Sequence, residues 1–169
     1  MPHWPEPGND PDPKHPKERI MNTTHKKQLV GLVAALGLCL PAMAQLSPIG
    51  TWHSIDDKTK EVKSEIVIAE QQGQLSGRIT KLLRQGADQS ARCTECTDDR
   101  KGQPMIGLEI IRGAKQADDK PVWEGGRILD PENGKTYNLR LTPVEGGQKL
   151  DVRGSIGPFG RTQTWVRVK

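Results

Sequence analysis

Aromatic side chains are scarce in this sequence. Its 169 residues include 4 Trp, 1 Tyr and 1 Phe, and apolar residues of all kinds make up 33%. Such a chain has little material with which to line a large lipid cavity. Cysteine is rarer still, at 3 residues, which excludes a small domain stapled by several disulfides. Beyond residue 44 the single histidine is His53, which leaves a metal centre short of ligands there. Charge of one sign is also lacking: 25 Lys and Arg face 21 Asp and Glu, mixed along the chain. The pI near 9.0 is a weak pointer to anionic partners such as lipid headgroups. No basic stripe is interleaved with aromatics, which argues against nucleic acid as a partner. No glycine-rich loop opens a helical pattern, so nucleotide binding is not indicated.

Long hydrophobic runs are missing too. The apolar run over 29–40 is shorter than the roughly 20 residues that span a bilayer. It has a different signature. His25-Lys26-Lys27 is a short basic region before it, Pro41 breaks it, and Ala42-Met43-Ala44 is a small-x-small site before Gln45. These are the parts of a secretory signal peptide, with cleavage after Ala44 and the periplasm as destination. Cys39 follows Leu38, where a lipoprotein would need a small residue, so it is read as a leader residue. On this reading translation begins at Met21. Residues 1–20, proline-rich and without apolar periodicity, are a spurious or disordered extension. Residues 45–169 are then one domain by length, with no segment able to span a membrane as a helix.

What is present in that domain is strand pattern. Strands are expected from Gly50-Thr51-Trp52 to near Asp56-Asp57, then over 64–70, 75–83, 105–113, 122–129, 135–141, 149–156 and 161–168. Over 75–83, Leu75, Gly77 and Ile79 share one face and Arg78 and Thr80 the other, the period of a half-buried strand. Between the fifth and sixth strands Asp130-Pro131-Glu132-Asn133 supplies a type I turn. Gly134 then takes positive φ and sends the chain back. Gly125-Gly126 inside the fifth strand suggests a bend, a bulge or a close backbone approach. A long polar loop over 85–104 carries Cys93 and Cys96. Eight short strands on short turns predict an all-β domain, an eight-stranded antiparallel up-and-down barrel in which closure removes the free edges.

Two resemblances follow. Gly50-Thr51-Trp52 resembles the Gly-x-Trp signature of lipocalins, in which the Trp closes the barrel floor and an Arg of the last strand lies across its ring. The resemblance implies the same role for Trp52, with Arg167 as its partner on the strand that also carries Trp165. More of the chain resembles the exported bacterial family of unknown function DUF 2147. The resemblance rests on Gly50-Thr51-Trp52 with Asp56-Asp57, on Pro104-Met105-Ile106-Gly107, and on the run from Gly125 to Tyr137. Val152-Arg153-Gly154 and the run from Gly160 to Trp165 continue it, and Cys93-Thr94-Glu95-Cys96 is similar to that family's cysteine pair. It implies a lipocalin-like barrel and an exported protein, and no established activity.

The remaining chemistry is sparse. Cys93 and Cys96 read as a disulfide formed after export, against a metal site or a thioredoxin-like redox pair. The redox reading wants a βαβ setting that the strand pattern lacks. Asp56-Asp57 on one strand would point to opposite faces, so a solvated turn is expected rather than a shared carboxylate site. His53 has no nucleophile arranged around it and is expected at the surface or the barrel mouth. Arg153, Arg161 and Trp165 are candidates for the rim or for contact with a ligand. No catalytic residue, cofactor or metal is assigned. The sequence therefore predicts a non-catalytic binding protein for a small amphipathic or apolar ligand. Its rival is an envelope protein-interaction module whose barrel is filled by its own side chains.

Overall fold

The computed structural model describes residues 46–118 and 120–169. The 1–20 extension, the 21–44 leader and the cleavage point before Gln45 lie outside the described residues. Among the described residues eight strands form: β1 (Gly50–Ile55), β2 (Val62–Gln71), β3 (Gln74–Leu82), β4 (Glu109–Gln116), β5 (Trp123–Asp130), β6 (Lys135–Val144), β7 (Lys149–Ile156) and β8 (Phe159–Arg167). Each pairs antiparallel with the next, and β8 returns to β1, so the sheet is a closed up-and-down barrel. The closing seam places Trp52 opposite Arg167 and His53 opposite Val166.

The expected strands differ from the observed ones mainly at their ends. β4 begins at Glu109 rather than Met105. The chain turns first at Gly107, whose φ is 90°, and the Gly107 N–H donates to the Ile79 carbonyl. β6 runs on to Val144 and hands over to a 3-10 turn at Glu145–Gly147. β8 starts at Phe159, which leaves Gly157 and Pro158 as the β7–β8 turn.

Alternation decides what lies inside. Trp52 and Ser54 on β1, Ser64, Ile66 and Ile68 on β2, Leu139 and Leu141 on β6, and Leu150 and Val152 on β7 are all buried. Each large apolar side chain so placed contributes about 1.5–3 kcal/mol over leaving it in water. At Gly126 an added Cβ would overlap the Ala114 backbone of β4, so the strands approach there more closely than a side chain allows. The same place carries a bulge, a register shift between Glu124 and Gly126.

The β5–β6 turn forms as its residues dictate. The Asp130 carbonyl accepts from the Gly134 N–H at 2.9 Å, and the Asp130 carboxylate accepts from the Glu132 N–H and the Asn133 amide. Gly134 has φ 68°, and a Cβ there would run into the Glu95 carbonyl. The cysteine loop therefore sits directly on this turn.

Candidate functional site

The two ends of the barrel are built differently. At one end the Arg167 guanidinium lies over the Trp52 ring, 4.1 Å from its centroid. It also donates to three carbonyls, those of Gly147 (2.5 Å), Ile49 (3.0 Å) and Ser47 (2.7 Å). The Trp52 indole N–H is satisfied by the Pro48 carbonyl at 2.7 Å. Burial lowers the Arg167 pKa from its ordinary value, yet an arginine stays protonated at any physiological pH, so the cation over the ring is retained. Gly50 leaves the path open: a Cβ there would lie 2.5 Å from an Arg167 nitrogen. This end is a closed floor.

Above the floor is a cavity of about 850 Å³, open at the opposite end. One side is apolar, with Ile79, Ile110, Ile128 and Val152 in its lining. The other, made by β8, β1 and β2, carries Trp165, Gln163, Ser54 and Ser64. The two serine hydroxyls lie 2.8 Å apart and satisfy each other. Tyr137 also lines the space, and its hydroxyl accepts from the Asn133 amide at 3.2 Å. The rival expectation of a barrel filled by its own side chains keeps its support deep in the barrel, where Ile66, Ile79, Val152 and Trp165 are at most 3% exposed; the open space lies towards the mouth. The inward positions at 54, 64 and 154 are Ser, Ser and Gly, too small to meet across the interior.

The mouth is ringed by paired charges. Asp56 accepts the backbone N–H groups of Thr59 and Lys58 and meets Arg84 at 2.9 Å. Those amide donors, with Arg84 beside them, hold its carboxyl below the usual carboxylate range. Asp57 pairs instead with Arg161, so the two aspartates part to separate partners in the β1–β2 turn. Glu132 takes Lys63 at 2.9 Å and Arg84 at 3.5 Å. Phe159, 81% exposed, and Ile156 stand at the same rim.

The sequence candidates separate accordingly. Arg161 is at the rim. Trp165 is not: it is 2% exposed and lies inside the barrel, two positions from Arg167 on the inward-facing set of β8. Arg153, unlike Trp165, is not in the cavity lining. It alternates with inward Val152 and Gly154, so its side chain is exposed on the outer surface, against Gly160. His53 is on the outer face of β1, not at the mouth, with Nε2 3.7 Å from Glu65. Glu65 in turn accepts from Lys81 and Thr80, and the Lys81 hydrogen bond leads in keeping its carboxyl pKa low.

Cys93 and Cys96 are joined as a disulfide with Cα atoms 5.4 Å apart. Both are fully buried, which a loop of such polar composition did not suggest. The loop has an ionic anchor of its own. Arg100, 3% exposed, binds the Asp98 carboxylate and donates to the Glu109 carbonyl and Thr136 hydroxyl. That pairing pulls the Asp98 pKa down to about 2. Sequence reasoning missed Arg100, and it missed Ser54 and Gln163 as cavity groups. The signal for the latter pair was period two: each lies two residues from a buried Trp on an inward-facing set.

Residues 50–167 match the model of a family described as uncharacterized proteins conserved in bacteria, DUF2147. The chain belongs to that family. A solved structure similar to this DUF2147 chain is protein HP1028 from the human pathogen Helicobacter pylori, described as belonging to the lipocalin family. The TM-score is 0.61 at 18% identity, over 72% of this chain and 82% of that one. At that identity the likeness speaks for the fold, a lipocalin-like barrel. No curated protein matches the DUF2147 chain.

Proposed function

We propose that this DUF2147 protein is an exported, non-catalytic binding protein that takes a small amphipathic or apolar ligand into its barrel. The observation that carries the reading is the cavity of about 850 Å³. It is open at the mouth, at the end of the barrel away from Trp52 and Arg167, and its size falls among small-molecule sites of about 300–1,000 Å³. The ligand's apolar part lies against Ile66, Ile79, Ile110 and Val152. Its polar part meets the rim, where Asp57–Arg161 and Glu132–Lys63 present both signs of charge. The described carboxylates at the mouth are tied into ion pairs and turns rather than poised as acid and base, which supports a binding role over a catalytic one. Export is supported by the leader pattern over 21–44 and by the Cys93–Cys96 disulfide, a bond that persists in oxidising compartments.

Fluorescence titration with phenylnaphthylamine, an apolar probe, tests the binding reading. One equivalent is expected to bind. Gly154→Leu is expected to weaken it at least about tenfold without loss of fold. A Cβ at 154 has the Tyr137 and Ile128 side chains as its nearest neighbours, at 3.4 Å and beyond, so the new side chain occupies ligand space. A wild-type barrel that takes up no probe would refute the proposal. Export is tested by intact mass of the protein from the cell envelope, expected to begin at Gln45; a mature product still carrying Met21 would refute it.

A further inference from the structure

The seam that closes the barrel is joined by backbone only at its floor end. β1 pairs with β2 from Gly50 with Ile68 up to Ile55 with Val62, and β7 with β8 from Lys149 with Val166 up to Ile156 with Phe159. Between β1 and β8 the Val168 N–H donates to the Thr51 carbonyl, Trp52 stands opposite Arg167, and the pairing stops at His53 opposite Val166. From Val166 to Phe159 is about 23 Å of strand. Over that stretch β8 has β7 on one edge and no strand partner on the other among the described residues. Side chains span the gap at the mouth. The Asp57 carboxylate, in the β1–β2 turn, accepts from the Arg161 guanidinium and, at 3.5 Å, from the Gln163 amide of β8. On its far side the same turn and the start of β2 are tied to other elements, Asp56 to Arg84 and Lys63 to Glu132.

We propose that Asp57 is the strap of a side gate. Its contacts with Arg161 and Gln163 hold the upper half of β8 against the β1–β2 turn, and their release lets the seam part so that an apolar ligand reaches the deep interior. This deepens the binding function proposed above and rests on it. The need for a gate comes from the packing. Ile66, Ile79, Val152 and Trp165 are at most 3% exposed, so the deep barrel admits a ligand only where its wall gives. Elsewhere the wall gives by breaking backbone hydrogen bonds, which are costly to leave unmade. The upper seam gives by releasing one carboxylate. Ser54 and Trp165 flank the gap from β1 and β8, and both line the cavity, as do Asp57, Arg161 and Gln163. Parting the seam therefore widens the cavity itself. The strap is light. Arg161 is exposed and Asp57 partly so, and an ion pair in water's reach contributes little and is screened by salt. A strand edge held only by such a pair opens far more readily than the laddered strands around it.

The test follows uptake of phenylnaphthylamine by stopped-flow fluorescence in the wild type, in Asp57→Ala and in Glu124→Ala. The probe is uncharged, so the strap acts on its path and not on a charged head. Glu124 pairs with Arg140 on the outer wall at 2.7 Å and controls for the loss of an exposed ion pair as such. Asp57→Ala is expected to speed both entry and release about 2- to 5-fold, the worth of one exposed pair, and Glu124→Ala to change neither. Added salt is expected to speed entry into the wild type and to leave the rate in Asp57→Ala unmoved. NMR relaxation dispersion on the ligand-free protein is expected to place microsecond-to-millisecond exchange at Asp57 and over 159–165, and not at Val168. Entry into Asp57→Ala no faster than into the wild type, or an equal gain in Glu124→Ala, would overturn the gate while leaving the binding function standing. A seam without exchange would do the same. Failure of the probe to enter both the wild type and Asp57→Ala would overturn the binding function itself, and the gate with it.

Discussion

Replacing Arg167 by alanine removes more than a charge near the C-terminus. The guanidinium covers the Trp52 ring at 4.1 Å, and that contact is worth about 1–2 kcal/mol where the cation is partly desolvated. It also donates to the buried Gly147 carbonyl, a charge-assisted bond worth about 1.5–3 kcal/mol. The carbonyls of Ser47 and Ile49 are more accessible, and water replaces much of what they lose. Arg167→Ala is therefore expected to cost about 3–5 kcal/mol. Arg167→Lys is expected to recover less than half, because an ammonium has no plane to stack and cannot span three carbonyls. Trp52→Ala is expected to cost about 3–5 kcal/mol from the ring's burial alone. The assay is urea unfolding followed by circular dichroism on the wild type, the two single variants and the double variant. The double-mutant cycle should return a coupling of about 1–2 kcal/mol, since the face contact is lost once in either single variant. Effects that add within about 0.5 kcal/mol would refute the floor latch. So would an Arg167→Lys variant as stable as the wild type.

Gly134→Ala is expected to destabilise by about 2–4 kcal/mol, because it meets both positive φ and the Glu95 carbonyl. Gly73→Ala, with similar φ and open space around it, is expected to cost only about 1–2 kcal/mol; equal losses in urea melts would remove the role given to the loop contact. Replacing Cys93 and Cys96 together by serine is expected to cost about 2 kcal/mol, the value for so small a closed loop. Hydrogen exchange should quicken over residues 91–104 while the barrel strands keep their protection; global loss of protection would contradict this. Asp98 has a folded pKa of about 2 against an ordinary 3.8, so its ion pair with Arg100 stabilises the fold fully above the higher value. That contribution is lost as the pH falls from there towards 2. Asp98→Asn should flatten the wild-type decline in thermal stability over that window, and a variant with the wild-type acid profile would count against the pairing.

The barrel was legible because its signals are local. The alternation at Leu75, Gly77 and Ile79, the turn chemistry of Asp130 to Gly134, and the spacing of eight short strands each speak through period or turn type. The floor was legible only through a likeness to Gly-x-Trp proteins, since nothing local joins Trp52 to a residue more than a hundred positions away. The cavity was not legible. Whether a barrel is open or packed depends on how side chains of eight strands sum across its axis, and small residues at 54, 64 and 154 reveal their effect only once the sheet closes. Trp165 shows the same limit from another side: its inward position follows from period two, but the lack of an acceptor for its N–H among the described residues is a property of every neighbour at once. Arg153 looked like a rim residue because it stands near the last turn, and strand parity sends it outward. The loop around Cys93 hid a buried Arg100 because its partners, the Glu109 carbonyl and Thr136, come from strands distant in sequence.

The central claim is that the barrel holds a ligand between the Trp52 floor and the charged mouth. A crystal structure with a terminally brominated dodecanol tests it most directly, because the bromine's anomalous signal marks the buried end of the chain. The account predicts a single peak inside the barrel, near Ile66, Ile79 and Trp165, with the hydroxyl towards Arg161 and Glu132. A barrel interior closed by its own side chains, or a bromine found only on the outer surface, would contradict it.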